Sequence, residues 1–191
     1  PFSFHDHPLT PTKYAIRPTP HDPMPTQTKD RPGLSWEEIC HDPRFRDLPY
    51  KIETNARGQI IMSPTYQRHG ALQVRIAIDV EKHLPDGMIV TESAVATSDG
   101  QKIADVAWFS DVRWEQVKDA LDAPVAPEIC VEVRSPGNSD EEMDHKRALY
   151  LEAGADEVWI CDTEGHLRFY DANGERETSA RVPRFPAKIT L

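Results

Sequence analysis

The sequence predicts an α/β fold, a mixed sheet with helices packed against it. Two observations carry this. Short apolar runs of strand length recur through the chain, and two longer stretches with an apolar residue at every third or fourth position lie among them. Turn and capping signals separate the two kinds of segment.

The first 32 residues stand apart. They hold eight of the 17 prolines and few large apolar side chains, so ordering them would gain little burial, and a flexible arm over 1–32 is expected. The folded domain is expected over 33–191. Ser35-Trp36-Glu37-Glu38 has the pattern of a capping box that opens a short helix. Gly58 to Ser63 forms a short apolar strand. From about Gln67 to Leu84, Leu72, Ile76, Val80 and Leu84 recur at steps of four along one helical face, and Pro85-Asp86-Gly87 ends that helix.

Met88 to Glu92 and Ile103 to Phe109 are predicted strands, with a polar turn at Ser98 to Gln101 between them. Glu128 to Arg134 (EICVEVR) is a third. A second capping box at Ser139 to Glu142 opens a helix that should end at Gly154. Glu157 to Cys161 and His166 to Tyr170 close the pattern as two further strands. The last 20 residues are less regular, and no internal repeat is present.

Bulk properties narrow the function classes. No apolar run approaches the roughly 18 residues of a membrane span, and Pro1 to Asp30 lacks the features of a signal peptide. Cys40, Cys130 and Cys161 are odd in number and have no metal-ligand spacing. Cys130 and Cys161 lie in apolar runs, which fits buried thiols in a reducing, cytoplasmic setting. A net charge of −10 argues against coating nucleic acid through a broad basic surface, so any DNA contact should be local and metal-assisted.

Three residues stand out chemically. Asp105 is the sole charge in the strand Ile103 to Phe109, where aspartate is disfavoured. Glu132 alternates with Val131 and Val133; it is either a solvent-facing glutamate on an open sheet face or a ligand. Two carboxylates on adjacent strands could hold Mg²⁺, which prefers oxygen donors. Lys146 falls on or beside the apolar stripe of its helix, where it either snorkels its amine to water or directs a fixed charge at the acidic site.

The stretches GQIIMSP, RHGALQVRIA, VATSDGQKIADVAWFS, APEICVEVRSPGNS and EMDHKRALYLEAGADEVWICD occur in that order. Together with the closing VPRFPAKI they resemble the Uma-two family of restriction-endonuclease-like proteins, within the PD-(D/E)XK superfamily. The resemblance spans roughly residues 34–190. It implies a restriction-endonuclease-like core, a central mixed β-sheet flanked by α-helices, and Mg²⁺-dependent (or Mn²⁺-dependent) cleavage of DNA. Asp105 and Glu132 match the family's acidic motifs and would bind metal with the Val133 backbone carbonyl. Lys146 matches its Lys-x-x-Leu-Tyr motif as the catalytic cation.

His69 matches the family's histidine, with a structural or a site role, and Glu53 an earlier acidic position. Ala104 stands where the family has proline before the aspartate. Arg134 stands where it commonly has an apolar residue, which creates a Glu-x-basic spacing with Glu132. Arg134 is thus a candidate phosphate ligand or structural ion pair.

A metal-dependent endonuclease, acting on DNA and dimeric by analogy with other nucleases of this kind, is the leading reading. A nuclease-fold module that binds nucleic acid or a protein partner without cutting is the alternative, and hydrolysis of another phosphoester is a third.

Overall fold

The computed structural model describes residues 33–191; the arm expected over 1–32 lies outside the described residues. The Ser35 capping box is present. Its Oγ accepts from the Glu38 N–H at 3.2 Å and Glu38 Oε2 accepts from the Ser35 N–H at 2.8 Å, opening helix α1 (Trp36–His41). A hairpin of β1 (Tyr50–Thr54) and β2 (Ile60–Pro64) follows, paired antiparallel and forming its own two-stranded sheet. Helix α2 (Gln67–His83) comes next, then strands β3 (Met88–Thr97) and β4 (Gly100–Phe109), a short helix α3 (Asp111–Val117), and strand β5 (Ile129–Val133). Helix α4 (Asp140–Glu152) leads to β6 (Glu157–Cys161), β7 (Leu167–Asp171) and β8 (Gly174–Arg176).

Six strands form the main sheet in the order β3-β4-β5-β6-β7-β8. Among the described residues only strands β5 and β6 pair in parallel, with α4 returning the chain between them. The sheet is therefore mixed, as the strand and helix pattern predicts.

The alternation within β5 explains how helices cover both faces. Ile129, Val131 and Val133 pack into the cluster that holds Leu72, Ile76 and Val80 of α2 together with Trp159. Cys130 points the other way, against Tyr150 of α4 and Val158. Burying α2 on one face and α4 on the other leaves β5 sealed on both sides, and every residue of that strand is buried.

Several elements depart from expectation. Strand β3 does not stop at Glu92 but continues to Thr97, passing Glu92 with the backbone at φ 55. Neither β1 nor α3 shows in the local pattern. The second capping box is half formed: Ser139 Oγ accepts from the Glu142 N–H at 3.1 Å, but Glu142 turns to Asn138 Nδ2 at 3.0 Å. Among the described residues no helix is long and apolar enough to cross a membrane.

Candidate functional site

The centre of the site is a break in the sheet. Strands β3 and β4 pair through Thr91↔Val106 and again through Ser93↔Ala104, but Glu92 and Asp105 between them are unpaired. On the other side, β4 pairs with β5 from Val106↔Val131 to Trp108↔Ile129 and no further. Beyond that point the Asp105 carboxylate takes over, its Oδ2 accepting from the Val133 N–H at 2.6 Å. Continuing both registers places Glu92, Asp105 and Glu132 in one row across three strands. Asp105 itself is 0% exposed.

Polar side chains from five further positions converge there. Lys51 of β1 donates to Asp105 Oδ1 at 2.5 Å and lies 4.0 Å from Glu132 Oε2. Lys146 of α4 donates to Glu53 Oε1 at 2.7 Å and to Glu132 Oε2 at 3.2 Å. The Tyr150 hydroxyl, one helical turn on, donates to Glu132 Oε1 at 2.6 Å. Glu53 also accepts from the Ile103 N–H at 2.9 Å, which ties β1 to β4. From α2, His69 Nε2 lies 3.3 Å from Asp105 Oδ1, and its Nδ1 is 3.1 Å from Ser135 Oγ. Lys51, His69, Glu92, Asp105, Glu132 and Lys146 line a cavity of about 410 Å³.

Burial and neighbouring charge act against each other at Asp105, Glu132, Lys51 and Lys146. For Asp105, burial pushes the carboxyl up, but the Lys51 ammonium and the hydrogen bond from His69 outweigh it and hold the group below the usual range. For Glu132, burial wins over Lys146 and Lys51, and the carboxyl is raised. Burial favours neutral Lys51, yet Glu132, Asp105 and Glu53 raise it above an ordinary lysine. Lys146 is likewise raised, because Glu132 and Glu53 outweigh burial and the repulsion from Lys51. Among the described residues no buried side-chain nitrogen or oxygen lacks a hydrogen-bond partner.

The structure thus brings Asp105, Glu132, Lys146, Glu53 and His69 together. Glu132 is 2% exposed and Lys146 7%, so neither the solvent-facing glutamate nor the snorkelling lysine describes them. At Val133 it is the amide N–H that meets Asp105, while the carbonyl role expected there stays a proposal. Arg134 departs from its expected place on the Glu132 face. Strand β5 ends at Val133 and the alternation stops with it, so Arg134 donates to the Asn138 carbonyl at 3.0 Å and pairs with Asp140. Of its two candidate roles the structure shows the ion pair, which braces the loop into α4.

Three participants were missed: Lys51, Glu92 and Tyr150. Lys51 was within reach of sequence reasoning, because it shares a strand face with Glu53 two residues on.

The family model described as "Putative restriction endonuclease" matches residues 39–185. The chain belongs to the Uma2 family. Its fold is similar to a crystal structure from Anabaena variabilis ATCC 29413 described as a "putative nuclease belonging to DUF820", with a TM-score of 0.60. The two are 20% identical, and the match covers 72% of this chain and 79% of that one. At that identity the likeness concerns the fold, and it agrees with the mixed sheet described above. No curated protein matches the chain.

Proposed function

We propose that this Uma2 protein is a Mg²⁺-dependent endonuclease that hydrolyses DNA phosphodiester bonds. The observation that carries the reading is the pair of buried carboxylates, Asp105 and Glu132, with a lysine ammonium drawn in between them, 2.5 Å from one and 4.0 Å from the other. A site that attracts a cation to that position, and that offers carboxylate oxygen, fits Mg²⁺ or Mn²⁺. Asp105, Glu132 and the Val133 carbonyl would hold the ion. When bound, it supplies a water of lowered pKa and charge to balance the phosphodiester in reaction.

The chain's own groups have separable tasks. Lys146 is raised in pKa and stays protonated at neutral pH. It therefore serves as a fixed positive charge that orients a water or steadies a phosphate oxygen, and not as a base. Tyr150 and Lys146 together fix both Glu132 oxygens, so the carboxylate cannot swing away. Lys51 balances Asp105 in the resting site and can turn to a phosphate. With a net charge of −10, contact with DNA falls to such local cations. Cleavage of both strands would follow from a homodimer, and a cytoplasmic location fits the free thiols.

The test is cleavage of plasmid DNA with Mg²⁺ or Mn²⁺. Asp105→Ala and Glu132→Ala should each abolish it, and cleavage that persists in both sinks the site assignment. Calorimetric titration with millimolar Mg²⁺ that shows no binding would instead support the module that does not cut.

A further inference from the structure

Glu92 is the one carboxylate of the row that the proposed reaction leaves without a task. Its backbone is held in the left-handed region, at φ 55, in the middle of a strand, a conformation that a glutamate adopts only at a cost. The result is a carboxylate level with Asp105 and aimed into the same cavity. Gln73 of α2 holds it there, donating to Glu92 Oε1 at 2.5 Å and to the Asp105 carbonyl at 3.4 Å. Among the described residues the other Glu92 oxygen has no hydrogen-bond donor, which leaves it for a ligand.

His69 completes the set. One donor atom from each of His69, Glu92 and Asp105 lies within 4.8 Å of the other two. Ser135 occupies the Nδ1 side of the ring and leaves Nε2 turned to the cavity. Metal-binding histidines are oriented in this way, with the far nitrogen fixed by a neighbour, and metal-binding carboxylates are hydrogen-bonded as Glu92 is by Gln73.

We propose that His69, Glu92 and Asp105 form a second divalent-cation position, beside the one on Asp105 and Glu132, with Asp105 shared between them. This rests on the metal-dependent reading above. The two positions differ in chemistry. The Asp105–Glu132 position offers oxygen alone and suits Mg²⁺, whereas the imidazole of His69 favours transition ions such as Mn²⁺ over Mg²⁺. A centre that prefers Mn²⁺ while accepting Mg²⁺ is the expected outcome.

The experiment is titration of chelator-treated full-length protein with Mn²⁺, followed by calorimetry and by the electron-paramagnetic-resonance signal of free Mn²⁺. Wild type should take up two equivalents per chain. Glu92→Gln should lose one and keep the other with its affinity unchanged, and Glu132→Gln should lose the complementary one. Gln73→Leu, which frees Glu92, should weaken the Glu92-dependent equivalent by about 10–100-fold. Pulsed resonance should detect an imidazole nitrogen on bound Mn²⁺ in wild type and in Glu132→Gln. Glu92 is exposed, so its variant should melt with wild type, which separates lost binding from lost folding.

Two equivalents of unchanged affinity in Glu92→Gln overturn the second position and leave the nuclease reading standing. So does a single wild-type equivalent that only Glu132→Gln removes. A single equivalent removed only by Glu92→Gln supports the His69–Glu92–Asp105 position and overturns the Asp105–Glu132 one. No uptake by wild type overturns both.

Discussion

Replacing Lys146 by methionine keeps the length of the side chain and removes its charge. In the folded protein that ammonium donates to Glu53 at 2.7 Å and to Glu132 at 3.2 Å, and both carboxylates are almost fully buried. Without it, Lys51 is the remaining lysine facing three buried carboxylates, Glu53, Asp105 and Glu132. Removing one member of a buried ion pair costs about 3–5 kcal/mol, because the remaining charge is left desolvated. For a domain of this size each kcal/mol moves the midpoint by about 2–4 °C, so Tm should fall by about 6–20 °C.

The sign of the pH dependence is fixed as well. The Glu132 carboxyl is already raised above its ordinary 4.5, and losing Lys146 raises it further. Ionising a carboxyl whose folded pKa is raised costs stability, so the deficit is largest at neutral pH. It shrinks as pH falls toward 4.5 and the carboxyl takes up a proton. Thermal melts of wild type and Lys146→Met from neutral to acid pH, in chelator, measure both effects. A variant that melts within about 1 °C of wild type at pH 7 would show that Lys146 does not act as a buried counter-ion. Adding Glu53→Gln should recover part of the loss, since it removes one of the stranded charges.

Tyr150→Phe deletes a fully buried hydrogen bond to a carboxylate and should cost about 1.5–3 kcal/mol in urea unfolding; a neutral variant would show that Glu132 does not depend on it. Arg134→Gln breaks a half-exposed pair with Asp140 and should cost no more than about 1 kcal/mol. Plasmid cleavage should survive Arg134→Gln and be lost in Lys146→Met, and the reverse order would make Arg134 the working cation. Asp99 accepts from His145, the Ala56 N–H and Lys102, His145 contributing most, and its carboxyl sits well below the ordinary 3.8. Its contribution is complete above that value and is lost as pH falls through the lower folded pKa. Asp99→Asn should therefore unfold more readily than wild type at neutral pH, and the gap should close in strong acid. Hydrogen exchange in β1 should quicken in the same variant, because Asp99 anchors the Ala56 turn.

Which parts of this site were visible in the sequence depends on how local their signals are. Asp105 and Glu132 show because a charge inside an apolar strand is improbable without a partner, and Lys146 because it sits in an apolar stripe. Tyr150 was legible only as a core residue, although it lies four positions after Lys146 on the same face. Gln73 follows His69 by four in the same way. Glu92 needed the register: the Thr97↔Gly100 turn fixes the hairpin, and counting back from it sets residue 92 opposite 105. A strand ended at Glu92 hides that row. Arg134 was misplaced for the converse reason, since alternation was carried one residue past the strand's end. Helix α3 and strand β1 escaped because each is short and polar enough to look like loop.

The hairpin of β1 and β2 is paired only to itself, yet it delivers Lys51 and Glu53. Both residues find their partners far along the chain, on β4 and α4, some 50 to 90 positions later. During synthesis the hairpin emerges before β4, β5 and α4, so Lys51 and Glu53 cannot meet Asp105, Glu132 and Lys146 until those segments have been made. Until then Lys51 lacks Asp105 and Glu53 lacks Lys146. The charged centre is thus built from segments as much as 93 positions apart, and a chain interrupted before α4 lacks the Lys146 that the finished site requires.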